Sequence, residues 1–252
     1  FYPYELDNSL KFEDGDSSYL SWTPSSDGNR KTWTWSGWIK RSNISSRQDI
    51  FGIDNVNGLQ LLSSDLLSLE IYNGSGSDYY VYSAAKLRDT SSWYHIVAVW
   101  DSTNSSASDR IKLYLNGERL TSSATGNSIP LNAQSTWNST TAHSIGRNTS
   151  GGQYFDGYMA EINFIDGTAL DPSSFGETKE GIWVPKNPTG LTYGTNGFRL
   201  PFTETTTAEG FNTVTYTGNG ATQSIEGVGF EPDLVWIKNR GRAGQGHVLH
   251  DA

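Results

Sequence analysis

Residues Trp93–Leu120 read WYHIVAVWDSTNSSASDRIKLYLNGERL, and this stretch spells out an antiparallel meander. Trp93 to Trp100 is rich in β-branched and aromatic residues, and both of its alternating faces are apolar, which suits a strand buried on two sides. Asp101 to Asp109 is a polar loop with almost nothing to bury. Ile111, Leu113 and Leu115 then alternate with Lys112 and Tyr114, the period-2 pattern of a strand with one core face. Asn116-Gly117 supplies a two-residue type I′ turn, whose two central positions need positive φ.

The same texture runs outward in both directions. Strands are expected at 10–13, 19–22, 31–40, 49–53, 59–62, 66–72, 79–83, 144–146 and 157–165. In the run 31–40, Trp33, Trp35, Gly37 and Ile39 share one face. In 157–165, strict alternation puts Tyr158, Ala160, Ile162 and Phe164 on one face, with Met159, Glu161, Asn163 and Ile165 on the other. Many short strands separated by Gly, Ser, Asn and Asp indicate an all-β sandwich of two antiparallel sheets rather than a parallel α/β sheet. Nine Trp against one Met point to large rigid rings packed between the sheets.

After Phe175 the texture changes. Residues 177–202 hold Pro185, Pro188 and Pro201 with several Gly, and read as an extended connector pinned to the sandwich by Trp183, Tyr193 and Phe198. Residues 203–252 begin a second β pattern, with strands expected at 213–217, 223–225 and 233–238 and a turn at Gly218-Asn219-Gly220. About fifty residues with two or three strands do not close a sandwich, so this module is expected to continue past residue 252.

The net charge of −9 argues against a phosphate-backbone partner and against adsorption to anionic lipid. The absence of Cys removes disulfides, thiolate catalysis and Cys-based zinc sites. No apolar run is long enough to span a bilayer as a helix, and Phe1-Tyr2-Pro3-Tyr4 is no signal peptide. Without an initiating Met, the chain is expected to be processed or to be a window on a longer protein. Five Asn-x-Ser/Thr sequons, at Asn43, Asn73, Asn104, Asn138 and Asn148, are what this composition yields by chance.

Three segments stand in a recognisable order: Trp35-Ser-Gly-Trp-Ile39, Trp93–Asp101 with Leu113–Gly117, and Phe155–Ile162. Together they resemble the laminin-G-like branch of the concanavalin A-like sandwiches over roughly residues 7–176. The resemblance implies a jelly roll of two curved antiparallel sheets. The runs 31–42, 164–177, 184–202 and 229–239 further resemble virion proteins of tailed bacteriophages, in fibre, tail or capsid-decoration roles. That likeness implies a structural protein used for assembly and host-surface attachment. Its partners would be other virion proteins, copies of itself in a homo-oligomer such as a trimer, and a host-surface glycan. It would be assembled in the bacterial cytoplasm, with no nucleic-acid partner and no membrane insertion. The rival reading is a lectin-type module whose primary role is glycan recognition.

Glycoside hydrolases on this sandwich carry two Glu flanking an Asp along one strand. The nearest match, Glu161-Ile-Asn163-Phe-Ile-Asp166, lacks the central carboxylate and the second Glu, and Glu70 has no partner of this kind, so no enzymatic activity is expected. His95 lies mid-strand among apolar residues and is expected to be a core or sheet-face histidine, while His143, His247 and His250 form no ligand set. No cofactor is required. The resemblance does make calcium an expected ion, with Asp14, Asp16 and Asp156 as oxygen donors in Gly-rich loops. Relatives commonly have Asp where this chain has Ala160, a departure that weakens that expectation. Sugar binding needs an exposed ring with nearby amides. The candidates are Trp137 with Asn138, Tyr154 with Gln153 and Asn148, and Tyr79 and Tyr80 with Asp78.

Overall fold

The computed structural model describes residues 4–72, 78–120, 122–203, 214, 215, 217, 219, 221, 234–238 and 247–251. Two short strands, β1 (Leu10–Phe12) and β2 (Leu20–Trp22), precede the tryptophan-rich β3 (Thr32–Arg41). Four strands joined by tight turns follow: β4 (Gln48–Asp54), β5 (Asn57–Leu61), β6 (Leu66–Tyr72) and β7 (Asp78–Lys86). The meander comprises β8 (Tyr94–Asp101), β9 (Ile111–Leu115) and β10 (Glu118–Arg119). Its turn residues Asn116 and Gly117 have φ of 49° and 85°, as a type I′ turn demands. Beyond it come β11 (Ser122–Thr125), β12 (His143–Ile145), β13 (Gly157–Asp166), the hairpin β14 (Gly176–Lys179) and β15 (Ile182–Pro185), and β16 (Phe198–Leu200).

These strands make an all-β sandwich of two antiparallel sheets. Sheet A runs β1-β13-β3-β8-β9-β10, with β16 also paired to β13, and sheet B runs β11-β7-β6-β5-β4-β12-β2. The alternation in β3 sends Trp33, Trp35 and Ile39 inward, where they meet Phe51, Leu59, Leu69 and Ile71 of sheet B. Trp33 stacks on Trp137 with centroids 4.5 Å apart, and Phe51 meets Trp137 edge-on at 4.7 Å. Such ring pairs contribute about 0.5–1.5 kcal/mol each beyond the area they bury.

Strict alternation fails in β13. Its register with β3 slips between Ala160 and Asn163, and Glu161 has φ of 47°. This bulge inserts one residue, so Met159 lies in the core before it and Ile162 and Phe164 after it. Tyr158 and Ala160 therefore do not share a face with Ile162 and Phe164.

The two outer faces of the sandwich differ. On sheet A, Val97, Val99, Tyr114, Ile165 and Phe175 form a second apolar cluster, covered by Leu170, Leu191 and Tyr193 from the chain that follows β13. Trp183 is seated separately, against Gly117, Gly176 and His95. A Cβ at Gly117 would come within 2.5 Å of its ring and one at Gly176 within 2.4 Å, so both positions require glycine. The indole stacks on His95 at 5.9 Å, and its Nε1–H donates to His95 Nδ1 at 3.0 Å. Tyr193 donates to Asn163 Oδ1 at 2.7 Å, and Phe198 packs on Trp22 at 5.3 Å.

The chain divides into two compact units, residues 1–203 and 204–252. In the second, β17 (Leu234–Lys238) pairs antiparallel with β18 (His247–Asp251), which carries His247 and His250. The strands expected at 213–217 and 223–225 and the turn at 218–220 fall largely outside the described residues.

Candidate functional site

The outer face of sheet B carries polar side chains in register. Because Leu59, Leu61, Leu67, Leu69 and Val81 point into the core, the residues between them point out. Cross-strand pairing aligns Asp49, Gln60, Ser68 and Tyr82 in one row across β4, β5, β6 and β7. The neighbouring row is Gly52, Gly58, Glu70 and Tyr80. Tyr80 and Tyr82 stack at 4.8 Å, and the Tyr82 hydroxyl donates to Glu70 Oε1 at 2.8 Å, as does Ser68 Oγ at 3.1 Å. Burial first, and then the Glu70 carboxylate, pushes the Tyr82 hydroxyl above its ordinary range.

Asp49 is fully buried on this face. Its Oδ2 accepts from Asn148 Nδ2 at 2.9 Å, and its backbone N–H donates to the Gln153 carbonyl at 2.8 Å, which fastens the loop after β12 to β4. Asn148 Nδ2 also lies 2.6 Å from Gln153 Oε1 and 3.2 Å from Asn55 Oδ1. Arg47 donates through Nε to Gln60 Oε1 at 2.6 Å and through NH2 to the Asn55 carbonyl at 2.7 Å. Burial pushes the Asp49 carboxyl up to about 7, against the pull of the Asn148 amide and the Arg47 charge and with the push of Glu70 and Asp54. Among the described residues, three buried atoms here have no hydrogen-bond partner: Asp49 Oδ1, Asn148 Oδ1 and Gln60 Nε2. A buried polar atom left so costs about 1–3 kcal/mol.

The expected sugar contacts divide between this site and the core. Asn148 and Gln153 are part of the site, and Tyr80 stands on its face. Tyr154 is half-buried one residue on, its hydroxyl accepting from Arg147 NH1 at 3.3 Å, while the Arg147 guanidinium lies 3.4 Å over the Tyr19 ring. Trp137 is no platform: it is wholly buried between Trp33 and Phe51. Asn138 is also buried, at φ of 65°, with Nδ2 donating to Asp166 Oδ1 at 2.6 Å, so its amide fastens a turn. Tyr79 lies in the core.

Of the expected cation donors, Asp14 and Asp156 come together, and their third neighbour is Glu13 in place of Asp16. The carboxylate oxygens of Glu13, Asp14 and Asp156 lie within 4.8 Å of one another. Partial burial and then the charges of Asp14 and Glu13 raise the Asp156 carboxyl. Lys11 Nζ already donates to Glu13 Oε2 at 2.6 Å, so part of this oxygen set is committed.

Glu161 is buried on the sheet A side, taking Arg199 Nε at 2.5 Å and the Tyr4 hydroxyl at 3.0 Å. His95 is held between Trp38, Trp183 and Ser36 Oγ, and burial lowers it to about 3. Since Trp183 donates to Nδ1, the imidazole proton sits on Nε2 and faces Ser36.

Asp49, Gln60, Ser68 and Tyr82 escaped the sequence reading, which met Glu70 only as a carboxylate without a catalytic partner. For Gln60, Ser68, Glu70 and Tyr82 the signal was present as polar alternation in NGLQL, LLSLEIY and DYYVYS, but which residues stand side by side, Asp49 of β4 among them, depends on register.

The sequence profile of a family described as the concanavalin A-like lectin/glucanases superfamily, Laminin_G_3, matches residues 14–174. A second profile, described as a domain of unknown function (DUF7483), matches residues 206–252. Solved structures similar to this chain include the heptameric SAP-like pentraxin from Limulus polyphemus, 17% identical, covering 66% of this chain and 79% of that one with a TM-score of 0.47. Mouse laminin alpha1 domains LG4-5 are 14% identical, covering 65% of this chain and 43% of theirs, with a TM-score of 0.43. The enzymatically active domain of bacteriophage CBA120 tailspike protein 2 is 14% identical, covering 66% of this chain and 26% of its own, with a TM-score of 0.48. The chain thus spans less than half the length of the laminin and tailspike structures. No curated protein sequence matches.

Proposed function

We propose that this chain, which belongs to the concanavalin A-like lectin/glucanase superfamily, is a carbohydrate-recognition module that binds through the outer face of sheet B. The observation that carries the reading is the asymmetry of the sandwich. Sheet A's outer face is sealed by the chain's own residues, whereas sheet B's bears aligned amides, carboxylates and a stacked tyrosine pair. Sugar rings stack on aromatic faces, and their hydroxyls both donate and accept, matching the half-buried Glu70 carboxylate and the Tyr80 and Tyr82 hydroxyls.

The setting we propose is a virion attachment protein of a tailed phage, and the sequence likenesses at 31–42, 164–177, 184–202 and 229–239 support it. The module acts by shape and hydrogen bonding with no covalent step, since Glu161 is committed to Arg199 and Tyr4. Copies of the chain and other virion proteins would be its assembly partners.

A glycan array probed with the whole chain tests the recognition reading. Tyr80→Ala is expected to weaken the strongest hit by about fivefold to tenfold, the worth of one ring stack. Lys40→Ala, on sheet A, is expected to leave it unchanged. Binding to no glycan, or binding indifferent to Tyr80→Ala, would sink the reading. Release of reducing ends from a polysaccharide that stops in Glu161→Gln would overturn its non-enzymatic part. Labelling the chain on an intact particle tests the virion setting.

A further inference from the structure

A cleft of about 620 Å³ opens between the two sheets at one edge of the sandwich. One wall is β2, the last strand of sheet B, through Leu20 and Trp22; the other is β16, paired to β13, through Phe198 and Leu200. All four side chains pack on the main core yet are only half-buried, so they keep surface open to the cleft. The Trp22 and Phe198 rings meet edge-on at 5.3 Å and tie the walls together. On the floor are Ile145 and His143, both buried. His143 is satisfied, since Nδ1 donates to the Thr141 carbonyl at 2.7 Å and Nε2 accepts the Asn138 N–H at 3.1 Å. Burial lowers it to about 4, so near pH 7 the ring brings neither a charge nor an unmet hydrogen bond. The rim is polar but uncharged: Thr23, Ser25 and Thr195 are exposed there, with Asn196 half-buried beside them. No Asp, Glu, Lys or Arg lines the cleft among the described residues.

Small-molecule sites run from about 300 to 1,000 Å³, so the cleft has room for a sugar residue. A charged group pushed into it would lose its water and meet no counter-charge, which excludes acidic and amino sugars. A hydroxyl set against Leu20, Ile145 and Leu200 would lose its hydrogen bonds in the same way, whereas a methyl group would not. An occupant with no polar groups would strip water from the rim hydroxyls and return nothing. The cleft thus selects a neutral residue with one apolar end and hydroxyls on the rest, and the Trp22 indole offers it a stacking face. We infer that the cleft is a second glycan subsite that takes a 6-deoxyhexose, its methyl group inward against Ile145 and the leucines and its ring hydroxyls at the rim. The inference rests on the glycan reading above, to which it adds a place and a class of sugar. The place is separate from the outer face of sheet B, for none of Asp49, Gln60, Glu70 and Tyr80 lines it.

The test uses sugars that differ only at C6, titrated into the whole chain and followed by saturation-transfer NMR. Methyl α-L-fucoside is paired with methyl α-L-galactoside, and methyl α-L-rhamnoside with methyl α-L-mannoside. In at least one pair the deoxy sugar is expected to bind about tenfold tighter, because its counterpart buries an unpaired hydroxyl. Its C6 methyl protons are expected to take up the strongest saturation. Trp22→Ala is expected to weaken the deoxy sugar by about fivefold to tenfold, the worth of a ring stack. Because Trp22 also packs on Phe164 and His143, the exposed rim position supplies a second variant: Ser25→Trp fills the mouth and abolishes binding. Thermal melts of both report folding. Tyr80→Ala, on the outer face of sheet B, leaves the deoxy sugar unaffected. Equal affinities within both pairs, saturation centred away from the methyl group, or binding that survives Ser25→Trp overturn the inference and leave glycan recognition standing. Binding of none of these sugars overturns the subsite alone if the array gives a hit, and overturns both readings if it gives none.

Discussion

At the scale of single residues, the carboxylates of this chain are either fully committed or conspicuously not. Asp166 accepts from the backbone N–H of Asn29 at 2.7 Å and of Asn196 at 3.1 Å, and from the Asn138 amide, so it knots three loops together. Asp65 is wholly buried but takes Arg41, Arg88 and the Ser45 N–H, and the donors hold it below the usual carboxylate range despite its burial. Asp156 is the opposite case, raised by partial burial and by Asp14 and Glu13. Such a group destabilises the fold once the pH exceeds its unfolded value, because folding then crowds like charges. Asp156→Asn is therefore expected to raise the melting temperature by about 1–2 °C at neutral pH in the presence of a chelator. If the three carboxylates hold calcium, the wild type gains more from added calcium than the variant does. A variant that melts lower without any cation would show that the crowding is already relieved.

At the scale of elements, the decisive piece is the β14–β15 hairpin with its Trp183. The strands of the meander at 93–120 and its turn at Asn116-Gly117 were legible, because period and turn chemistry are local, but the burial of Tyr114 on the second face of β9 was not. The bulge in β13 was not, since no Gly or Pro marks it: a glutamate occupies positive φ, held by Arg199 from a strand 38 residues on. Nor could local pattern show that Gly117 serves a second purpose as one wall of the Trp183 seat. Trp183→Ala is expected to cost about 2–4 kcal/mol, toward the lower end of buried aromatic truncations because the residue is half-buried. It also exposes His95, whose pKa should climb from about 3 toward an ordinary histidine value in an NMR titration. An unchanged His95 titration would mean that Trp38 and the sheet alone keep it dry.

At the scale of the whole molecule, three buried groups dominate the response of the sandwich between about pH 4 and 7, above the range in which Asp65 titrates. Burial depresses His95 to about 3 and His143 to about 4, so their contribution is complete above about 6.5 and is lost as pH falls toward those values. Asp49 runs the other way: raised to about 7, it favours the fold below about 4, and that advantage fades as pH climbs to 7. Between about pH 4.5 and 6 the unfolded chain thus binds two histidine protons where the fold binds one on Asp49, and wild-type stability should rise with pH. Asp49→Asn removes the opposing group, so its stability relative to wild type should grow by about 1.4 kcal/mol per pH unit across this window in denaturant titrations. A constant difference would refute the buried, proton-holding state of Asp49. The sandwich itself was readable from composition and alternation. The candidate site was only half readable, because it is assembled by register across four strands, and register is a property of the folded sheet.

The seat of Trp183 also carries an order in time. Its walls and floor are supplied by the 116–117 turn, Gly176 and His95, and the surface beneath the rest of the covering comes from β8, β9 and β13. Apart from Gly176, which belongs to the same hairpin as Trp183, none of these is in place until sheet A has formed, so the covering chain is expected to dock late in folding, over contacts of long sequence separation. Until then Val97, Val99 and Ile165 face water. The newly made sandwich is therefore expected to pass through an interval in which this apolar side is bare, and the speed with which the Trp183 indole finds Gly117 and His95 sets how long that interval lasts.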